Sequence, residues 1–235
     1  INIFSGYIAQ NKTINLNINR KRYLNNKKVT SLFQNQKILH KNIKLDENKE
    51  IKSLSQTWEK LANRNKDIKS SAFLFLIDSG KYAKLYPNTQ MPAASSIKTP
   101  ILLAALKEID SNKLIWDEPI KLEKDLIGGG AGWMAYQKEG KSFPTHEVAT
   151  EMIRVSDNTA TNLLINRIGG IDLLNKYFKS WGLNQTIIKN LLPDLAGTNK
   201  TSARDLVNTF YIANKSNFLS TRSRDTFREV LSTSK

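Results

Sequence analysis

Apolar residues along 47–66 fall at Ile51, Leu54, Trp58 and Leu61, spacings of three and four that predict an amphipathic helix. The pattern then changes. Residues 71–78, "SAFLFLID", form a continuous apolar run that predicts a buried strand. Asp78-Ser79-Gly80-Lys81 is a turn, and "YAKLY" at 82–86 is the partner strand of a hairpin. Beyond it, helical spacing dominates. Residues 100–114 predict an apolar helix, and 125–134, "DLIGGGAGWM", a glycine-rich loop. A helix over 145–155 has Thr145 as its expected cap. "SDN" interrupts, and another helix over 159–168 stops at Gly169-Gly170. Further helices are predicted over 171–183, 202–215 and 221–232, with a loop over 190–200. The hairpin therefore needs sheet partners that the chain after residue 86 does not clearly provide.

Residues 1–46 read differently. They hold nine Lys/Arg against one Asp, with many Asn and Gln, and are read as a basic N-terminal extension to a domain over 47–235. "TINLNIN" at 13–19 alternates as a strand would, and "NRKRYLNNKK" is a basic cluster. The whole chain carries a net charge of +15, which fits a polyanionic neighbour such as a wall polymer or anionic lipid. No nucleic-acid-binding module is present to make nucleic acid the expected partner. Without cysteine, disulfides and thiolate metal sites are excluded. His40 and His146 are isolated in sequence, which disfavours metal catalysis, and no cofactor is expected. No apolar run reaches the ~18 residues of a membrane helix. The chain starts with Ile and shows no signal peptide, as expected of a mature or trimmed product.

The chemistry concentrates in "ASSIKTP", 94–100, where Ser95 stands three residues before Lys98. At a helix start the two side chains share a face one turn apart. A neutral lysine amine can take the serine proton, provided burial or a neighbouring cation lowers its pKa. The N–H of Ser95 can help hold an oxyanion. The same spacing also fits two ordinary polar residues at a helix start. Pro100 predicts a 3₁₀ or distorted first turn. "STSK" at 232–235 repeats the spacing and is read as coincidence. "SDN" places Ser156, Asp157 and Asn158 between two helices, 61 residues after Ser95. Its hydroxyl and amide can reach a cleft, or Asp157 or Asn158 can simply cap the following helix. No G-K-[ST] follows Gly128 to Gly132, so a phosphate loop is not supported.

SxxK and SDN at this spacing resemble the class A serine β-lactamases and related penicillin-recognising acyltransferases. The resemblance covers roughly residues 50–235. It is especially close to cyanobacterial β-lactamase-like serine hydrolases, in which segments like "DLIGGG", "SDNTATN", "SWGL" and the "LPDL.GTN" pattern recur. It implies an α+β fold of β-lactamase/transpeptidase type, a helical subdomain plus an antiparallel sheet. It implies Ser95 as acylated nucleophile, Lys98 as base, Ser156 as proton shuttle and Asn158 as a contact to Lys98 and substrate. Asp157 would hold the turn, and Gly128 to Gly132 would be a flexible loop near the cleft. A β-lactam or peptidoglycan-like substrate, a monomeric state and a periplasmic or secreted location follow from it.

Two departures limit the resemblance. The family's omega loop carries a water-activating glutamate before a proline, and here Leu192 precedes Pro193. Asp194 is the nearest carboxylate, a candidate two residues away and one methylene shorter. Slow deacylation is the expectation. No K-[TS]-G occurs, so the C-terminal sheet strands are expected to be missing or replaced by 13–23. Three functions compete. They are a β-lactam hydrolase, a D,D-peptidase-like enzyme favoured by the missing glutamate, and an inactive wall-associated binding protein favoured by the missing K-T-G.

Overall fold

The computed structural model describes residues 42–235. The strand expected at 13–19 and the rest of the basic stretch up to 41 lie outside the described residues, as does His40. The packed body begins upstream of residue 47. Ile43 is only 2% exposed, and its N–H and carbonyl meet Asn208 Oδ1 (3.4 Å) and Arg204 Nη2 (3.0 Å).

Helix α1 spans Lys52–Arg64, within the 47–66 stretch predicted as helical. The α-helix does not start at 47 because Ile51 N–H donates to Tyr82 O at 2.7 Å and Glu50 is extended, bridged to Tyr82 of the hairpin. Leu54 and Trp58 are half-buried, while Leu61 stays exposed. Strands β1 (Ala72–Phe75) and β2 (Tyr82–Leu85) are antiparallel, with Ala72 opposite Leu85 and Phe75 opposite Tyr82. β1 stops at Phe75, short of 78, because Leu76 N–H bonds Lys81 O and Gly80 N–H bonds Leu76 O, closing the turn early. Among the described residues no third strand joins this hairpin.

β3 (Met91–Pro92) leads into a 3₁₀ turn over Ala94–Ile97 and then α2 (Lys98–Asp110). Pro100 is thus in the first turn of α2, where a missing N–H forfeits no helical bond. α2 is buried on nearly every face, Ile101 to Ala105 being fully enclosed, as its all-round apolar sequence requires. β4 (Pro119–Lys121) pairs antiparallel with β5 (Ser142–Pro144), Ile120 opposite Phe143. α3 is Thr145–Arg154, capped by no side chain: Thr145 Oγ1 instead donates to Glu118 O at 3.1 Å and ties the helix to the β4 end.

α4 (Asn158–Ile168) starts on an Asp157 N-cap and ends where Gly169 and Gly170 turn back, N–H to Asn166 O and Ile165 O. α5 (Ile171–Ser180) follows. β6 (Lys200–Thr201) pairs with β3, Met91 opposite Thr201, so the strand ahead of α6 (Ala203–Ala213) is stapled to the strand ahead of Ser95. α7 (Thr221–Ser232) closes against α2 and α3. The core gathers Leu102, Leu103 and Leu106 with Leu163, Leu164 and Phe178. Each such side chain contributes roughly 1.5–3 kcal/mol by burial. The fold is a helical domain with three two-stranded antiparallel sheets among the described residues. No helix of the described residues is long and apolar enough to cross a membrane.

Candidate active site

Ser95 sits in the 3₁₀ turn and is exposed, whereas Lys98, the first residue of α2, is 2% exposed. The nucleophile candidate therefore faces solvent while its amine points into the interior. Burial lowers the Lys98 pKa from 10.5 to about 8, against a smaller upward pull from the Asp157 charge. At pH 7 roughly a tenth of the molecules then carry a neutral amine.

The α3–α4 turn supplies the partners. Ser156 adopts φ +58°, a left-handed conformation costly for a residue with a Cβ. Asp157 holds it there. Its Oδ2 accepts N–H bonds from Trp133 (2.7 Å) and Met134 (2.8 Å), and its Oδ1 accepts one from Ala160 (2.9 Å). The result turns both Ser156 oxygens toward Lys98. Nζ lies 2.5 Å from Ser156 O, 2.9 Å from Ser156 Oγ, 3.0 Å from Asn158 Oδ1 and 3.4 Å from Ser95 Oγ. Ser156 Oγ donates to Ser95 Oγ at 2.8 Å. A neutral amine has two N–H groups and one lone pair, so this surrounding suits an amine that exchanges a proton with the two hydroxyls. Ser95, Lys98, Ser156 and Asn158 are thus brought into one cluster, and the cap and the cluster are the same segment.

The glycine-rich loop is pinned rather than loose. Thr159 Oγ1 accepts from Gly128 N (3.0 Å) and donates to Gly128 O (3.1 Å), and Asn158 Nδ2 donates to Gly129 O at 2.9 Å. A Cβ at Gly128 would lie 2.3 Å from Leu192 O, and one at Gly132 would lie 2.2 Å from the Asp157 carboxylate. Glycine is required at both positions by close approach.

Asn162, which the sequence reading passed over, locks the 190–200 loop. Its Nδ2 donates to Leu192 O (2.7 Å) and Leu126 O (3.2 Å), and its Oδ1 accepts from Leu192 N (2.8 Å). The available signal was a second asparagine four residues after Asn158, one turn along the same helix face. Leu192 itself is 7% exposed. Asp194 is not brought to the cluster. Its oxygens accept from Thr198 Oγ1 (2.9 Å) and Asn199 N (2.6 Å), closing its own loop. Burial pushes its carboxyl up, and these hydrogen bonds outweigh that and hold its pKa below the usual value. Among the described residues no hydrogen bond joins Asp194 to the four cluster residues. His146 faces Asp117 at 3.7 Å and takes no part in the cluster's hydrogen bonds.

A helical body with small antiparallel sheets, entered through a serine turn ahead of a buried central helix, is the β-lactamase/transpeptidase-like fold. The family model described as the Beta-lactamase enzyme family matches residues 52–235, and the chain belongs to that family. Beta-lactamase BRO-1 of Moraxella catarrhalis is 29% identical over 189 residues, 80% of this chain and 54% of that protein. Beta-lactamase ROB-1 of Haemophilus influenzae is 31% identical over 104 residues, 44% of this chain and 32% of that protein. The chain thus spans about half, or less, of the length of these curated relatives. Among solved structures, PBP-A superposes with a TM-score of 0.78 at 38% identity, covering 81% of this chain and 72% of that one. A leucine-to-glutamate mutant of PBP-A, an acyl-enzyme complex with penicillin-G, matches at 37% identity with the same TM-score. An ancestral class A β-lactamase shares the fold, with a TM-score of 0.68 at 23% identity over 77% of this chain and 72% of that one.

Proposed function

We propose that the chain is a serine acyl-transferring enzyme of the β-lactamase class that forms a long-lived acyl-enzyme at Ser95. The observation that carries this reading is Lys98 Nζ, buried with a pKa near 8, within 3.4 Å of Ser95 Oγ and 2.9 Å of Ser156 Oγ. Lys98 takes the Ser95 proton directly or through Ser156. Ser95 Oγ bonds to the amide carbonyl carbon, and the proton returns by way of Ser156 to the leaving nitrogen as the C–N bond breaks. The Ser95 N–H, in the first turn of the 3₁₀ segment, is available to the developing oxyanion. Asn158 holds Nζ and presents its amide beside the substrate. The substrates are β-lactams or peptidoglycan-like peptides, which implies a location outside the cytoplasm.

Release of the acyl group is the weak step. Leu192 offers no proton acceptor to a hydrolytic water, and Asp194 is engaged in its own loop. That same observation favours a second reading, a D,D-peptidase-like penicillin-binding enzyme, for which an attacking amine rather than water completes the cycle. The test is labelling with a fluorescent penicillin and intact-mass detection of the adduct. A persistent adduct lost on Ser95→Ala supports the proposal. No Ser95-dependent label would leave an inactive binding protein, and rapid steady-state turnover of nitrocefin would sink slow deacylation.

A further inference from the structure

Trp133 brackets the turn that carries Ser156, although it belongs to neither motif. Its backbone N–H donates to Asp157 Oδ2 at 2.7 Å, and its indole Nε1–H donates to Glu151 Oε2, also at 2.7 Å. Glu151 lies in the last turn of α3 and Asp157 caps α4, so one residue holds both ends of the turn between the two helices. Those ends also meet directly, Asp157 N–H donating to Glu151 O at 3.1 Å. Trp133 is itself fixed. Its ring meets the buried Phe143 edge-on, with centroids 5.8 Å apart.

Glu151 is placed against local preference. A carboxylate in the last turn of a helix faces the negative end of the helix dipole, and this one is enclosed as well. Its carboxyl is nonetheless held below the usual pKa. The hydrogen bonds from Arg154 Nε and Nη2 come first among the causes, burial opposes them, and the Trp133 indole and the charges of Arg154 and Lys235 add to them. A residue that breaks a local rule in this way calls for a reason beyond the stability of its own helix.

Ser156 is where the bracket acts. Its left-handed backbone is strained, and relaxation would carry its O and Oγ away from Lys98 Nζ. Asp157 opposes that relaxation while its N–H donors stay in place, and Trp133 is one of them. We propose that the Trp133–Glu151 pair positions the acyl-transfer cluster: the indole–carboxylate bond keeps Asp157, and through it Ser156, in register with Lys98 and Ser95. Among the described residues no hydrogen bond joins either side chain to Ser95 or Lys98, so both are positioning residues. The inference rests on the acyl-transfer reading of Ser95 and adds to it two residues outside SxxK and SDN.

The experiment follows Ser95 acylation by benzylpenicillin against pH, by intact mass on the 235-residue protein, with Ser95→Ala as the blank. The rate constant and the fraction of protein labelled are read separately. Trp133→Phe keeps an aromatic ring, loses the indole donor and leaves Glu151 paired with Arg154. It is expected to lower the plateau rate constant about tenfold. Its pH midpoint should also move below about 8, because an Asp157 released from Trp133 no longer pulls the Lys98 pKa up as strongly. Glu151→Ala should do the same, and the double variant should be no slower than the slower single one, as expected of one link. Glu151→Gln, whose amide oxygen still accepts the indole N–H, should recover part of the rate, and it is the variant read where Trp133→Phe does not fold. A structural role alone lowers the labelled fraction and leaves rate constant and midpoint unmoved. An unmoved midpoint therefore overturns the inference, as does a double variant slowed by the product of the two single effects, and the acyl-transfer reading then stands. No Ser95-dependent labelling of the unmodified protein overturns both.

Discussion

Two loops flank α4, and they treat polar groups in opposite ways. The Ser156–Asn158 turn brings a hydroxyl and an amide to Lys98, whose amine has a pKa near 8 and lies within 3.4 Å of Ser95 Oγ, Ser156 Oγ and Asn158 Oδ1. The 190–200 loop presents the apolar Leu192 and spends its one carboxylate, Asp194, on its own closure. One helix anchors both: Asn158 reaches Lys98, and Asn162, one turn later, holds the Leu192 backbone. Under the proposed acyl transfer, bond formation and bond release depend on different loops fixed by different side chains, and only the first is supplied with proton-exchanging groups.

The largest effects should come from breaking the prepared side. Ser95→Ala is expected to abolish penicillin labelling, and Lys98→Ala to slow it by about 10³-fold or more, read as adduct mass against time. Building up the unprepared side comes next. Leu192→Glu places a carboxylate beside the loop backbone that Asn162 already holds, and should shorten the acyl-enzyme lifetime by about 10²-fold. Nitrocefin turnover measures it. An unchanged lifetime would mean that the loop's geometry, and not its missing carboxylate, limits release. The pH profile sharpens the prepared side further. Lys98 accepts a proton only when neutral, so acylation should rise with pH through about 8 and fall roughly tenfold per unit below it. A flat profile between pH 6 and 9 would remove Lys98 as the base.

Local chemistry was the legible part. Ser95, Lys98, Ser156 and Asn158 stand out only when the SxxK and SDN spacings and the family resemblance are taken together, whereas the helices α2 to α7 show in long apolar periods. Even the 3₁₀ turn at Ala94–Ile97 follows from Pro100. Contacts between distant segments were not legible. The two-residue strands β3 and β6 are too short to show alternation, yet their pairing sets Ser95 against the 190–200 loop. Thr145 looked like a cap and is a tie to Glu118. The glycine run looked flexible and is pinned, because Gly128 and Gly132 are required by neighbours distant in sequence, Leu192 for Gly128 and Asp157 for Gly132. Asn162 is the same case: a lone asparagine in "TATNLLI" acquires meaning only when the loop it holds folds over it.

Removing that tie tests whether the two loops are separable. Asn162→Ala leaves the Leu192 N–H and two carbonyls without their buried partner, at about 2–3 kcal/mol of stability. A denaturant melt measures the cost. Ser95 labelling of the folded variant should persist, since no bond from Asn162 reaches Lys98.

The smallest expected effect is the most pointed. Asp194→Asn keeps the shape of the side chain and removes its charge. If Asp194 only closes its loop, the variant loses part of two hydrogen bonds, to Thr198 Oγ1 and Asn199 N, and about 1 kcal/mol of stability. The acyl-enzyme lifetime should stay within about twofold, because a carboxylate held by its own loop activates no water. If the lifetime instead lengthens tenfold or more, Asp194 leaves its loop during release, and the 190–200 segment is a second prepared pole rather than an empty one. The paired readings separate these cases: stability moves alone when the residue is structural, and lifetime moves with it only when the carboxylate meets the water.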